Sequence, residues 1–303
     1  MTALATLAGA ALIALVVHDI FTVLFRPGAE SRFSGALVRA VWVALRAAGG
    51  RRALSLAGPV ALASVICSWA VLLVLGFTLI YLPHYPGDFA LQTATRTPFL
   101  GALHVSLANI TTLGSAAASP RATWLQIVTP AEALIGFGLL TAAVAYLLQL
   151  YPVLSRRRSL AYEIHLLGGA ARRLSLSVLR MEPTTTSQLY AELTSSLIAV
   201  ERDLVKFPIA YYFAESDPRF ALSATLPTLR ELAEGGARLG NPPSVRLRAS
   251  MLGQAIDDFA RTVENRFLSR PHRSTLEALA AFAHDHLHGR FEPRVEENER
   301  QAV

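Results

Sequence analysis

From Ala53 to Gly87 the chain carries no Lys, Arg, Asp or Glu. An uncharged apolar stretch of that length is long enough to cross a bilayer, which takes about 20 residues. Two further stretches meet the same condition. Residues 1–25 hold one charge, Asp19, and residues 122–155 hold one, Glu132. Charge divides the rest of the chain. Residues 1–154 contain eight Arg and four acids, whereas residues 155–303 contain twenty Lys and Arg and eighteen acids. The first half therefore reads as membrane and the second as a water-exposed domain.

The basic residues lie beside the spans. Arg26, Arg32, Arg39, Arg46, Arg51 and Arg52 separate spans one and two, and Arg156, Arg157 and Arg158 come after span three. Only Arg96 and Arg121 lie between spans two and three. Positive charge concentrates on the cytoplasmic side. This places the N-terminus outside, the 26–52 loop inside, residues 83–121 outside and the C-terminal half in the cytoplasm, in a plasma-membrane protein. The net charge of +6 thus reports topology, and no aromatic–basic interleaving points to nucleic acid. No basic residue precedes Arg26, so residues 1–25 lack the positive n-region of a signal peptide. Cys67 is the single cysteine. It excludes an intramolecular disulfide and a thiolate metal cluster.

Within 26–52, Phe33, Leu37, Val41 and Leu45 recur every four residues beside Trp42, and Arg32, Arg39 and Arg46 recur every seven. That spacing predicts an amphipathic helix lying on the inner leaflet.

The external segment is the most informative. Residues 98–110 are apolar but too short to span, and Pro98 suits a helix first turn. A short re-entrant helix would aim its partially negative carboxyl end at the residues just beyond it. Those residues are Thr111-Thr112-Leu113-Gly114-Ser115, with Pro120 farther on. Non-helical backbone at membrane depth is tolerated where it lines a watery cavity or is buried in protein.

In spacing, this run resembles the potassium-channel filter pattern Thr-Thr-Val-Gly-Tyr-Gly-Asp-x-x-Pro. Glu132-Ala-Leu-Ile-Gly136-Phe-Gly138 resembles the inner helix of bacterial two-helix-per-pore channels. The likeness covers about residues 58–155. It implies a homotetramer around a central pore, with the carbonyls of Thr112, Leu113, Gly114 and Ser115 and the Thr112 hydroxyl replacing the water shell of a permeant K+. The chain departs from the pattern after Gly114. Ser115, Ala116 and Ala117 stand where Tyr, Gly and Asp are usual. A non-glycine residue held at positive φ costs about 1–2 kcal/mol. Inner sites at Thr112 to Gly114 are expected to survive while outer ones widen or collapse, which leaves selectivity open.

Other membrane residues have two readings. Glu132 either attracts cations or braces the filter from behind, or else is solvated in a first helical turn after Pro130. Gly136 and Gly138 form a gating hinge or permit close packing. Asp19 snorkels or bonds another helix. Tyr151-Pro152 bends the inner helix or ends it.

Residues 156–289 read as a helical domain. Leu189, Leu193, Leu197, Val200 and Leu204 keep helical spacing behind a Thr184–Thr186 cap. Two similar runs are Leu222 to Leu232 and Leu252 to Phe267, and breaks fall at Pro183, Pro208, Pro218, Pro242-Pro243 and Pro271. No strand leading into Gly-x-Gly-x-x-Gly appears, so the nucleotide-binding regulatory domain usual in such channels is not expected. His284, His286 and His288 invite a metal reading, but a solvated helix end is the stronger one. Asp257, Asp258 and Glu264 read as a solvated face. No nucleophile elbow, phosphate loop or Cys–His pair appears, so no enzyme and no cofactor is expected. Residues 290–303 read as a disordered tail.

The expected architecture is an all-α membrane protein. It comprises span one (1–25), an interfacial helix (26–52), a pore module (53–155, with the pore loop at 98–120), a cytoplasmic helical domain and the tail. The partners are further copies of the chain and the lipid bilayer. The competing expectation is a non-conducting sensor or scaffold that acts through its cytoplasmic helices.

Overall fold

The computed structural model describes residues 2–26, 31–92, 97–114, 118–174, 179, 181–268 and 270–288. Ser115 and the 290–303 tail therefore lie outside the described residues. The fold is mostly helical. Its helices are α1 (Thr2–Phe25), α2 (Arg32–Ala47), α3 (Arg51–Ser55), α4 (Ala57–Tyr81), α5 (Pro98–Ile110), α6 (Thr123–Leu174), α7 (Pro183–Lys206), α8 (Leu222–Ala237), α9 (Pro243–Phe267) and α10 (Thr275–Asp285). Three of them, α1, α4 and α6, are long and apolar enough to cross a membrane.

The fold is not purely α-helical. β1 (Phe89–Leu91) and β2 (Ala118–Pro120) form an antiparallel ribbon that pairs Phe89 with Pro120 and Leu91 with Ala118. The ribbon closes the base of the segment that contains α5.

Contacts divide the chain into two units, residues 1–40 with 60–149 and residues 41–59 with 150–303. This differs from the division by hydropathy, which ended the inner helix near 155. Pro152 does not end α6, although the boundary between the two units falls two residues before it. The helix continues to Leu174, and at 1.5 Å per residue it is about 78 Å long.

In the first unit, α1 and α4 approach closely through small residues. A Cβ on Gly9 would fall 2.4 Å from the Gly76 carbonyl oxygen. The C-terminal end of α1 is held by Asp19, which is buried. Its carboxylate accepts from Trp69 Nε1 of α4 at 2.7 Å and from the Ser34 hydroxyl of α2 at 2.5 Å, with Ser31 also donating. Asp19 is thus an interhelical tie. The same contacts set the rotation of α2. The buried positions are Ser34, Val38 and Trp42, whereas Phe33 of the expected apolar stripe is exposed.

In the second unit, α9 packs against α7, α8 and α10. Leu193, Leu197, Leu226, Leu229, Leu252, Ile256 and Phe259 fill the centre. Proline opens α7 and α9 as their first residue, where its missing N–H costs nothing. The expected Thr184–Thr186 cap is displaced by this rule, and Glu182 occupies the cap position. Arg156 bonds Asp203, and Arg157 donates to the Ala210 carbonyl and to that of Phe213. The Arg156–Arg158 cluster is therefore tied to protein partners.

Candidate functional site

The candidate site is the carboxyl end of α5 and the turn that leaves it. Thr97 is extended and Pro98 begins the helix. The helix runs for 13 residues and is stopped by a left-handed residue just past its end. Thr112 has φ of 60°. Its N–H bonds the Asn109 carbonyl at 2.8 Å, and the Leu113 N–H bonds the Ala108 carbonyl at 2.9 Å. Those two bonds around a positive-φ residue are a Schellman cap. The Gly114 N–H also reaches the Ala108 carbonyl, at 3.0 Å, and Gly114 has φ of 75°.

The consequence is a sorting of polar groups. The N–H groups of Thr112, Leu113 and Gly114 turn back into the helix. The carbonyl oxygens of Thr111 to Gly114 accept no hydrogen bond from another described residue. All four residues are exposed, and Leu113 is 83% exposed. The turn also sits at the partially negative pole of α5. Free carbonyls at a helix C-terminus form an environment for a cation.

The underside of the same helix end is clamped. Glu132 of α6 is fully buried. Its Oε2 accepts from the Tyr81 hydroxyl of α4 at 2.7 Å and lies 3.4 Å from Asn109 Nδ2. Its Oε1 is 2.5 Å from the Ser106 hydroxyl, which also lies 3.1 Å from the Val74 carbonyl. Three helices thus converge on one carboxylate. The cluster is surrounded by Phe77, Tyr85, Phe89, Val105 and Leu125. Buried polar groups are costly unless bonded, so this arrangement fixes the depth and rotation of α5. Of the readings for Glu132, the solvated first turn is excluded by its burial.

Gly136 lies one turn beyond Glu132 on the same face. A Cβ there would meet the Ile110 carbonyl oxygen at 2.0 Å, so only glycine lets α6 touch the last turn of α5. Gly138 has open space around it and is not part of this contact. The structure therefore brings together Thr111, Thr112, Leu113, Gly114, Glu132 and Gly136, and leaves Gly138 apart. Tyr81, Ser106 and Asn109 were not singled out from the sequence. A signal for two of them existed, since Ser106 and Asn109 are polar residues three apart in a helix whose one other polar side chain is His104.

α6 also presents an uncovered apolar stripe. Leu134, Phe137, Leu140, Val144, Leu148 and Tyr151 are all exposed and recur at three- and four-residue steps. Such a face belongs against lipid or against other protein.

The histidine run is not a solvated helix end. His286 is buried, with Nε2 2.9 Å from the Tyr211 carbonyl and Nδ1 3.1 Å from that of Phe282. Burial pushes its pKa down to about 4. His284 faces Arg46, and His288 bonds the Glu215 carbonyl. The three rings thus have three separate partners, and among the described residues no cluster of three or more His, Cys, Asp or Glu is placed to hold a metal ion. The acidic face is occupied too. Asp257 meets Arg230 and Thr275, Asp258 meets Arg261, and Glu264 meets His272.

Compared with known proteins, the chain matches no family model, no curated protein and no solved structure.

Proposed function

We propose that this chain is one subunit of a homotetrameric cation channel of the potassium-channel type. The observation that carries the proposal is the exposed turn Thr111–Gly114, whose N–H groups are satisfied from within while its carbonyls accept no hydrogen bond from another described residue. Four copies around an axis would present a ring of such carbonyls, and carbonyl rings are how a filter replaces a cation's hydration shell. One chain supplies one turn, so the ring requires four chains. The Glu132 cluster and Gly136 hold the turn from behind, and the exposed α6 stripe is the surface on which copies meet or lipid packs. In this reading the N-terminus is outside and the second unit is cytoplasmic. Ions enter at the turn and leave along α6, where the gate would form. No chemistry is performed on a substrate, and the permeant ion is K+ or a broader set of monovalent cations.

The experiment is ion flux from liposomes containing the purified protein, with K+, Na+ and a bulky cation compared. Flux of K+ lost in Thr112→Ala is expected. Equal K+ and Na+ flux would assign a non-selective pore. A folded tetramer silent under every gradient and voltage would transfer the proposal to the non-conducting scaffold.

A further inference from the structure

The second unit contains an open cleft of about 590 Å³, within the range of small-ligand sites, roughly 300–1,000 Å³. One wall is a single face of α6. Tyr151, Ser155, Arg158, Ser159 and Tyr162 line it, and their three- and four-residue steps put them on one side of the helix. The opposite wall comes from the segment after Tyr212, with Phe213, Glu215 and Phe220, and Ser55 and Pro59 close one end.

Both signs of charge are present. Arg158 Nε lies 3.4 Å from Glu215 Oε1, and the Arg158 side chain is 52% exposed. Arg157 also approaches Glu215, at 3.9 Å, but it is nearly buried and committed to two carbonyls. A net anion would meet Glu215, and a net cation would meet the Arg158 guanidinium. A zwitterion meets both requirements. The Arg158 and Arg219 guanidinium groups lie 5.3 and 5.6 Å from the centroid of the Phe220 ring, which itself stacks on Tyr162 with centroids 4.9 Å apart, so the rings hold Arg158 at the wall of the cleft. Ser155 and Ser159, one turn apart, offer hydroxyl donors suited to phosphate oxygens.

Position supplies the rest. Pro59 is in the first turn of α4, where an apolar stretch begins, and Tyr151 and Leu154 lie at the end of another, the uncharged run that Arg156 closes. The cleft thus opens where two apolar stretches end, the depth at which Tyr and Arg side chains anchor at a membrane surface. We propose that this cleft binds the headgroup of a zwitterionic phospholipid, with its phosphate on Arg158 and the α6 serines and its ammonium on Glu215. The proposal rests on α4 and α6 spanning the membrane, and it does not depend on conduction.

Native mass spectrometry of the whole protein, titrated with phosphatidylethanolamine or phosphatidylglycerol, tests it. Phosphatidylethanolamine is expected to be retained at one per chain and phosphatidylglycerol more weakly. Losing one charge-assisted bond weakens binding about ten-fold, so Arg158→Gln should reduce retention by that factor. Ser159→Trp, which fills the cleft, should abolish it, and carries the test if the first variant misfolds by circular dichroism. Arg156→Gln, outside the cleft, should bind as the native chain does. Glycerophosphoethanolamine, the same headgroup without acyl chains, should not displace the lipid at equal concentration; displacement would overturn the lipid in favour of a soluble zwitterion. Equal retention of the two lipids, unchanged binding in both cleft variants, or no lipid on the folded native chain would each overturn the proposal.

Discussion

The two units place polarity in opposite ways. In the first, the large apolar side chains Leu4, Leu15, Ile127, Leu134, Phe137 and Leu140 are exposed, and polar Asp19, Ser106, Asn109 and Glu132 are buried. In the second, Tyr190, Leu197, Tyr211, Leu226 and Phe259 are buried, and ion pairs such as Arg230–Glu234 and Arg219–Asp217 are at the surface. In water, burying apolar surface drives and specifies the fold. In lipid that drive between helices is lost, and close packing and hydrogen bonds must specify the arrangement. The first unit accordingly relies on two carboxylates, Asp19 and Glu132, each ringed by three donors, and on the Gly9–Gly76 and Gly136–Ile110 approaches.

The comparison can be broken most forcefully with phenylalanine. Phe259→Ala removes a core ring from the second unit, and such truncations cost about 3–5 kcal/mol. Phe137→Ala removes an exposed ring from α6 and should cost about 0.5 kcal/mol, as surface changes do. Chemical denaturation of the two variants reads the difference, and equal losses would contradict the contrast.

Acid should act on the second unit first. The folded pKa of His286, about 4, lies below its ordinary 6.5 because burial disfavours the charged ring. The neutral ring's contribution is complete above about pH 6.5 and is lost as pH falls towards 4, about 3 kcal/mol in all. Thermal melts between pH 7 and pH 4 should show this decline, and His286→Gln should flatten it. An identical slope in the variant would assign the acid response elsewhere.

Polar deletions should sharpen the picture of the first unit. Tyr81→Phe and Ser106→Ala each remove a donor from buried Glu132 and should cost about 1–3 kcal/mol, read from thermal unfolding in detergent. A neutral result for both would mean that the carboxylate is not what positions α5. A change of opposite sign is expected at the turn. Thr112 is a β-branched residue at positive φ, and Thr112→Gly should raise stability by about 1 kcal/mol. A fall in the melting temperature would show that the cap does not form as described.

Much of this was legible in one dimension. Uncharged runs gave the three spans, Pro98 gave the start of α5, and leucine spacing punctuated by proline gave α7 and α9. What was hidden depended on distant residues meeting. The β1–β2 ribbon joins two three-residue strands on either side of α5, too short to show alternation. Glu132 finds partners 51, 26 and 23 residues away. The rotation of α2 is set by Asp19 bonding Ser34 rather than by its own apolar stripe. His286 looked solvated because its burial depends on Trp42 and Tyr211, whose rings lie 5.2 and 4.8 Å from it. Pro152 could be read either as a bend or as a stop, because sequence alone does not distinguish a helix end from a tolerated interior proline.

The central claim is that ions pass beside the Thr111–Gly114 turn, and Leu113 gives the most direct access to it. Cys67 is the only native thiol, so Cys67→Ser with Leu113→Cys leaves one reactive group on the exposed turn. Potassium flux through this variant in liposomes would be measured before and after a membrane-impermeant thiol reagent is added to the N-terminal side. The expected result is a flux that the reagent blocks in the Leu113→Cys protein and leaves untouched in the Cys67→Ser protein. A flux that persists after the cysteine is fully modified would contradict a pore at this turn.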